Sequence, residues 1–329
     1  MSETAPTILI VAQSGRLTYE AVLFAASLRE AAPEFSGKLV VAEPRPGPDW
    51  IGTPGITDDD ARAFLQDQGC EIRAFDTLHF GKTYPQGNKI EALTTLAPNE
   101  PFIFFDTDTL ITGPINQIRF EFDRPSASMA RSATWPEPPL YGPGYAKIWQ
   151  AIYDRFDIPF APTLDNSQPD DHWERYLYFN AGWFYARDPQ DFRDRMLNVM
   201  TSLRDDPMEE LASQSLYPWL DQIALPVVIS ALGGGRPGPS LDGLDGDLTM
   251  HWRALPLFYA RATDEQLAFF EDLTRPNKIK RVLKNYEPFR RMIYQRRGTR
   301  VRALFDQNNL PLKEQSMRAR IKRNRLWMR

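Results

Sequence analysis

Asp106 and Asp108 are two carboxylates one residue apart, and they close the apolar run Phe102-Ile103-Phe104-Phe105. Carboxylates that close repel each other unless something positive shares them. A divalent cation is the simplest such partner, and oxygen ligands suit Mg²⁺ or Mn²⁺. His251, in Met250-His251-Trp252-Arg253, follows a short polar turn and is a candidate to complete a metal site. His79 and His172 have no comparable setting. The plainer alternative is a strand ending in a polar turn, since Asp and Thr are common there, with a histidine that is structural or exposed.

Such groups need elements to hold them. The apolar run Phe102 to Phe105 predicts a strand buried on both faces, with the carboxylates at its C-terminal end, where open α/β sheets place their ligands. Ahead of it, Thr7 to Ala12 predicts a strand running into the turn Gln13-Ser14-Gly15. Tyr19 to Glu30 predicts a helix and Lys38 to Ala42 a second strand, hence a parallel βαβ unit. The Gly-x-Gly-x-x-Gly fingerprint is absent, which weakens a dinucleotide reading. Thr57 is expected to cap an acidic helix reaching Gln68, and Glu71 to Phe75 to form a third strand. Lys89 falls in the first turn of a helix just before the Asp106 strand, as a solvated charge or a phosphate ligand.

Further on, residues 119–131 predict another strand. Lys147 to Phe156 predicts a helix whose Ile148, Trp149, Ile152 and Tyr153 share a core-facing side. The surrounding 135–175 region, rich in Pro, Tyr and Trp, reads as a substrate-shaping insert. Asn180-Ala181-Gly182 interrupts an aromatic run; small residues there admit a ligand to the backbone, or mark a bulge. Asp221 and Gln222 lie near the start of a helix, where Asp221 also reads as a cap. Gly233-Gly234-Gly235 opens a loop to Asp247 that lacks the phosphate-loop pattern.

The single Cys70 excludes an internal disulfide or a cysteine zinc site, and its setting is a turn entering a strand. No apolar run approaches the roughly 20 residues of a membrane span, and Met1 to Pro6 lacks a leader's basic region, so the expectation is a cytoplasmic protein. Residues 278–329 hold 17 of the 39 Lys+Arg but only 3 of the 43 Asp+Glu, so a basic tail follows an acidic body. Ile279, Val282, Leu283 and Tyr286 share one helical face, and Phe289, Met292 and Ile293 continue it past Pro288, expected to kink or interrupt the helix. That pattern fits peripheral attachment to an anionic surface at the inner face of a membrane. It fits equally a helix packed on the acidic body with the last dozen residues disordered. Nucleic acid is not an expected partner.

In their order along the chain, Lys89, Phe104-Phe105-Asp106-Thr107-Asp108-Thr109-Leu110, Asn180-Ala181-Gly182, Asp221-Gln222 and His251 resemble nucleotide-diphospho-sugar glycosyltransferases of the GT-A fold, in particular glycosyltransferase family 8. The resemblance covers roughly residues 7–260. It implies an α/β domain over residues 1–275, a GT-A-type mixed, mainly parallel sheet flanked by helices. The 135–175 insert would lie on the acceptor side, and residues 276–329 would be a basic helical extension. It implies metal-dependent transfer of a sugar, with retention, from a nucleotide-diphosphate sugar, a UDP-sugar by resemblance, to a glycan, lipid-linked or other hydroxyl acceptor. Asp106, Asp108 and His251 would hold Mn²⁺ or Mg²⁺, with Asp106 shared between metal and ribose. Ala12 and Gln13 would meet the base and ribose, and Lys89 the sugar or diphosphate. Asn180, Ala181 and Gly182 would line the sugar pocket; Asp221 and Gln222 would flank the anomeric centre. The late His is followed by Trp252-Arg253-Ala254-Leu255-Pro256 rather than the family's Gly-x-Lys-Pro-Trp, which leaves Arg253 or Arg261 to replace the missing lysine. Two other readings share the Asp-x-Asp pattern: a haloacid dehalogenase-type phosphatase, and a non-catalytic sugar-nucleotide-binding protein on the same fold.

Overall fold

The computed structural model describes residues 5–48, 50, 52–131 and 134–328. Met1 to Thr4, part of the segment behind the leader expectation, lie outside the described residues.

Strand β1 (Thr7–Val11) leads through helix α1 (Arg16–Ala31) to β2 (Leu39–Pro44), then through α2 (Asp59–Asp67) to β3 (Cys70–Phe75). β1 pairs in parallel with β2, and β2 with β3, so the expected βαβ unit is present. The cap of α2 is Asp58, whose side chain accepts from the Ala61 N–H, and not Thr57 as the sequence suggested. A short helix α3 (Asn88–Glu91) precedes β4 (Phe102–Phe105), which lies parallel to β1 on its other side.

β4 explains its own composition. Ile103 and Phe105 pack into one core cluster, Phe102 and Phe104 into the other. Period-two alternation therefore supplies apolar groups to both faces of the sheet. β4 ends at Phe105, and the two carboxylates follow its C-terminal end as expected. β5 (Thr109–Ile111) belongs to a separate two-stranded sheet. The two carboxylates sit at the break, since a strand covered on both faces has no place for them.

β6 (Ser126–Ser128) is the strand expected within 119–131. It is followed by α4 (Tyr145–Arg155), β7 (Asn180–Ala186), α5 (Pro189–Asp205), α6 (Leu220–Ala231) and β8 (Thr249–His251). Ile148, Trp149, Ile152 and Tyr153 of α4 are buried, as their spacing predicts. β7 runs antiparallel to β4 and to β6, with a register shift between Ala127 and Ser128 of β6. The main sheet has the order β3-β2-β1-β4-β7-β6. It is mixed, mainly parallel and flanked by helices, as the resemblance implied. The glycine-opened loop contains a 3-10 segment, Pro239–Asp245.

The C-terminal part is helical: α7 (Leu255–Arg261), α8 (Asp264–Thr274), α9 (Asn277–Leu283), α10 (Glu287–Phe289), α11 (Arg297–Arg302) and α12 (Glu314–Arg323). The helix is interrupted between α9 and α10, as expected, and Pro288 lies in the first turn of α10, where its missing N–H costs nothing. Ile279, Val282, Leu283, Phe289 and Met292 belong to the same core cluster as β1 and α1. Ile321 and Leu326 are buried too, against the expectation of a disordered end. Lys278 pairs with Asp67 at 3.2 Å and Arg281 with Asp60 at 3.3 Å, so basic tail meets acidic body. Composition changes near residue 276; the packing does not break there. Among the described residues no helix is long and apolar enough to cross a membrane.

Candidate active site

Asp106 follows the last residue of β4, and its N–H donates to the Gly182 carbonyl at 2.8 Å. Asp108 lies in the turn to β5. The small sheet then does what the main one cannot: β5 pairs antiparallel with β8, with Thr109 opposite His251. That register brings His251 Nε2 to 3.1 Å from Asp108 Oδ1 and 3.9 Å from Asp106 Oδ2, across more than 140 residues of chain. One ligand atom from each of the three lies within 4.8 Å of the others. Two carboxylate oxygens and an imidazole nitrogen form a donor set that fits Mn²⁺ or Mg²⁺. Gly182 makes room for the ring: a Cβ there would stand 2.5 Å from His251 Nδ1.

Lys89 ties this cluster to α6. Its ammonium is 3.0 Å from Asp106 Oδ1 and 3.4 Å from Asp221 Oδ2, and it donates to the Ala181 carbonyl at 3.2 Å. Asp221 is not a helix cap. Its Oδ1 accepts from the Tyr84 hydroxyl at 2.5 Å, and the Tyr84 oxygen accepts from the Asp221 N–H at 3.0 Å. Gln222 Oε1 accepts from the Tyr178 hydroxyl at 2.9 Å. Asn180 is fixed at both ends: Nδ2 donates to the Ala130 carbonyl at 2.8 Å, and Oδ1 accepts from the Gly182 N–H at 2.9 Å.

The charges are strongly biased. Burial disfavours the Lys89 ammonium, but Asp106 and Asp221 outweigh it and raise Lys89 above its ordinary value. Burial pushes the Asp106 carboxyl up; Lys89 opposes this and Asp108 adds to it. Asp108 moves the other way despite burial, held far below the usual range by His251, with Arg16 and Lys89 helping. One carboxylate is thus firmly ionised, and the other is the one an added cation would relieve.

A cleft of about 270 Å³ opens beside the carboxylates, lined by Gln13, Arg16, Asn88, Lys89, Asp106 and Asp108 among others. Ala12 is buried, its N–H donating to Ala42, and Gln13 at the end of β1 is the part of that pair that reaches the cleft. Asn88 is 1% exposed, yet neither side-chain polar atom has a hydrogen-bond partner among the described residues. Buried amides are normally satisfied, so Asn88 points to a ligand in the cleft. Arg16 Nη1 stands 3.7 Å from Asp108 Oδ2 and is also paired with buried Glu20 at 2.5 Å. The sequence reasoning missed Arg16, Asn88, Tyr84 and Tyr178. Arg16 directly follows the turn after β1 and Asn88 directly precedes Lys89, which are the only local signals for them.

Residues 8–233 match the Rhodobacterales glycosyltransferase domain. No curated protein matches the chain. Among solved structures similar to it, an active-site mutant of LgtC shares 16% identity, covering 83% of this chain and 99% of that one with a TM-score of 0.48. The galactosyltransferase LgtC in complex with donor and acceptor sugar analogues shares 15%, with the same coverage and score. The glycosyltransferase GlyE of Streptococcus pneumoniae shares 11%, covering 84% of this chain and 54% of that one at a TM-score of 0.39.

Proposed function

The chain belongs to the Rhodobacterales glycosyltransferase family, and on that premise we propose that it moves a sugar from a UDP-sugar to a hydroxyl of a glycan or lipid-linked acceptor, with divalent metal and with retention. Membership sets aside the phosphatase reading, whose Asp-x-Asp strand opens its fold, whereas here β4 follows three strands of the same sheet. Membership in an enzyme family likewise disfavours a non-catalytic binder.

The observation that carries the reading is one continuous charge array. Asp106, Asp108 and His251 stand together, and Lys89 links Asp106 to Asp221. Asp108 and His251 would hold Mn²⁺ or Mg²⁺ directly, with Asp106 shared between the metal and the ribose. When bound, the ion supplies Lewis-acid stabilisation of the departing diphosphate. Gln13, Arg16 and Asn88 bind and orient the nucleoside in the cleft. Lys89 lies between the phosphate side and the sugar side, and it gives a fixed positive charge where negative charge develops. Asn180, Ala181 and Gly182 shape the sugar pocket. Asp221, oriented by Tyr84 and Lys89, and Gln222, oriented by Tyr178, face the anomeric carbon as positive charge builds there. Arg253 or Arg261 would have to replace the lysine missing after His251, and both are paired with Glu314. Any contact with an anionic membrane surface falls to exposed basic side chains alone, because the tail's apolar stripe is used in the core.

Thermal shift with UDP-, GDP-, ADP- and CMP-sugars, each with and without Mn²⁺, tests this. A UDP-sugar is expected to raise the unfolding temperature only with the metal. Stabilisation by another nucleotide, or equally without Mn²⁺, would contradict the donor assignment.

A further inference from the structure

A second cavity, of about 580 Å³, lies between the body and the C-terminal helices. His251 lines it, whereas Asp106 and Asp108 line the donor cleft, so the three-residue cluster stands between the two spaces. That volume is in the range of small-molecule sites. Its described lining holds Arg131, Arg253, Arg261 and Lys313 against Asp245 and Glu314.

Both acids are already committed. Asp245 accepts from Ser128, from the Met129 N–H and from Trp183 Nε1. Glu314 pairs with Arg318 at 2.6 Å, Arg261 at 3.1 Å and Arg253 at 3.5 Å. Arg131 is in none of these ion pairs; among the described residues the acid that acts on it is Glu174, outside the cavity lining. Its Nη1 is buried and has no hydrogen-bond partner among the described residues. Its guanidinium stacks 4.3 Å from the Trp173 ring centre and lies 5.9 Å from that of Tyr178. Burial pushes Arg131 down to about 10, which leaves it a cation at neutral pH. A buried N–H of a cation is costly to leave unpaired. A guanidinium held flat by stacking at the wall of a cavity is pre-organised for a carboxylate or phosphate.

The surroundings connect Arg131 to the chemistry. Trp173 comes from the 135–175 insert, and Tyr178 holds Gln222. The neighbouring Ala130 carbonyl accepts from Asn180 at 2.8 Å and from Arg253 at 2.9 Å. Arg253 itself sits at φ 61°, a left-handed conformation that costs a residue with a Cβ some strain.

We propose that this cavity is the acceptor subsite and that Arg131 selects an acceptor carrying an oxyanion, a phosphate or a carboxylate, near its reacting hydroxyl. The proposal rests on the glycosyltransferase reading, because it needs a donor on the far side of His251. It gives the insert a task, holding Arg131 through Trp173.

Calorimetry on the full-length protein saturated with UDP and Mn²⁺ tests it, with methyl β-glucoside, methyl β-glucuronide and methyl β-glucoside 6-phosphate as probes. At least one anionic probe is expected to bind about tenfold tighter than the neutral one, and the two anionic arms tell carboxylate from phosphate. Arg131→Gln should reduce that ratio to about twofold or less, while Arg131→Lys keeps part of it. If Arg131→Gln does not fold, Trp173→Leu, which removes the stacking surface, is expected to lower the same ratio. Equal binding of the three probes, no binding of any, or a ratio that survives these changes would overturn the proposal. So would weaker UDP binding in Arg131→Gln, which would move the residue to the donor side. Failure of UDP and Mn²⁺ to bind the wild type at all would instead bring down the UDP-donor and metal reading on which the proposal rests.

Discussion

Lys89 is the residue on which the site's charges balance. Its ammonium bridges buried Asp221 and partly exposed Asp106, and removing it leaves both without that shared cation. Lys89→Met is expected to lower turnover roughly a hundredfold, a size typical of losing a fixed transition-state charge. Steady-state kinetics measure it; a change of less than about threefold would remove Lys89 from the machinery. Gly182 sets the other limit. A methyl there meets the His251 ring, so Gly182→Ala should weaken Mn²⁺ binding by about tenfold or more while the protein still folds. Calorimetric titration with Mn²⁺ would show unchanged affinity if His251 were not a ligand. Asp106, Asp108, His251 and Lys89 were legible because their types and spacing carry chemistry before folding. Tyr84, Tyr178, Asn88 and Arg16 were not, because each acquires its role from a partner or a cavity that only tertiary packing creates.

At the scale of elements, the least legible feature was β5. Nothing in Leu110 and Ile111 themselves announces a second sheet. Only pairing with β8, far along the chain, separates β5 into its own sheet and brings in His251. The βαβ start was legible from periodicity alone. The α2 cap was misread by one residue, since Thr57 and Asp58 are both good caps and the backbone decides between them. Asp58 also receives the Tyr19 hydroxyl at 2.6 Å and Asn285 Nδ2 at 3.1 Å, so it joins α1, α2 and the tail. Burial would raise its carboxyl, but these hydrogen bonds and the Ala61 N–H hold it below its ordinary value. A lowered folded value means stability present above the unfolded value, near about 3.9, and lost as pH falls through the folded one. Asp58→Ala should therefore cost about 0.5–2 kcal/mol at neutral pH, with the gap from wild type shrinking in acid. Urea unfolding at neutral and acid pH checks both parts, and a gap that widens in acid would contradict the argument.

For the whole molecule, the charge asymmetry was legible but its meaning was not. A basic amphipathic pattern looks the same whether its apolar side meets lipid or protein. The structure spends that side on the core, and the ion pairs around it are largely exposed and weak. Each large apolar side chain buried in the tail contributes about 1.5–3 kcal/mol, against a total stability of about 5–15 kcal/mol for a domain. Ending the chain after residue 276 should thus give insoluble or unfolded protein by circular dichroism and solubility. A truncated protein as stable as the full chain would show that the tail is an appendage. The account stands most directly on one assay: release of UDP from UDP-sugars by the wild type and by Asp108→Asn, with Mn²⁺ and with chelator. It predicts that UDP appears only for the wild type with Mn²⁺. Release that persists in chelator or in Asp108→Asn, or the appearance of inorganic phosphate in place of UDP, would contradict it.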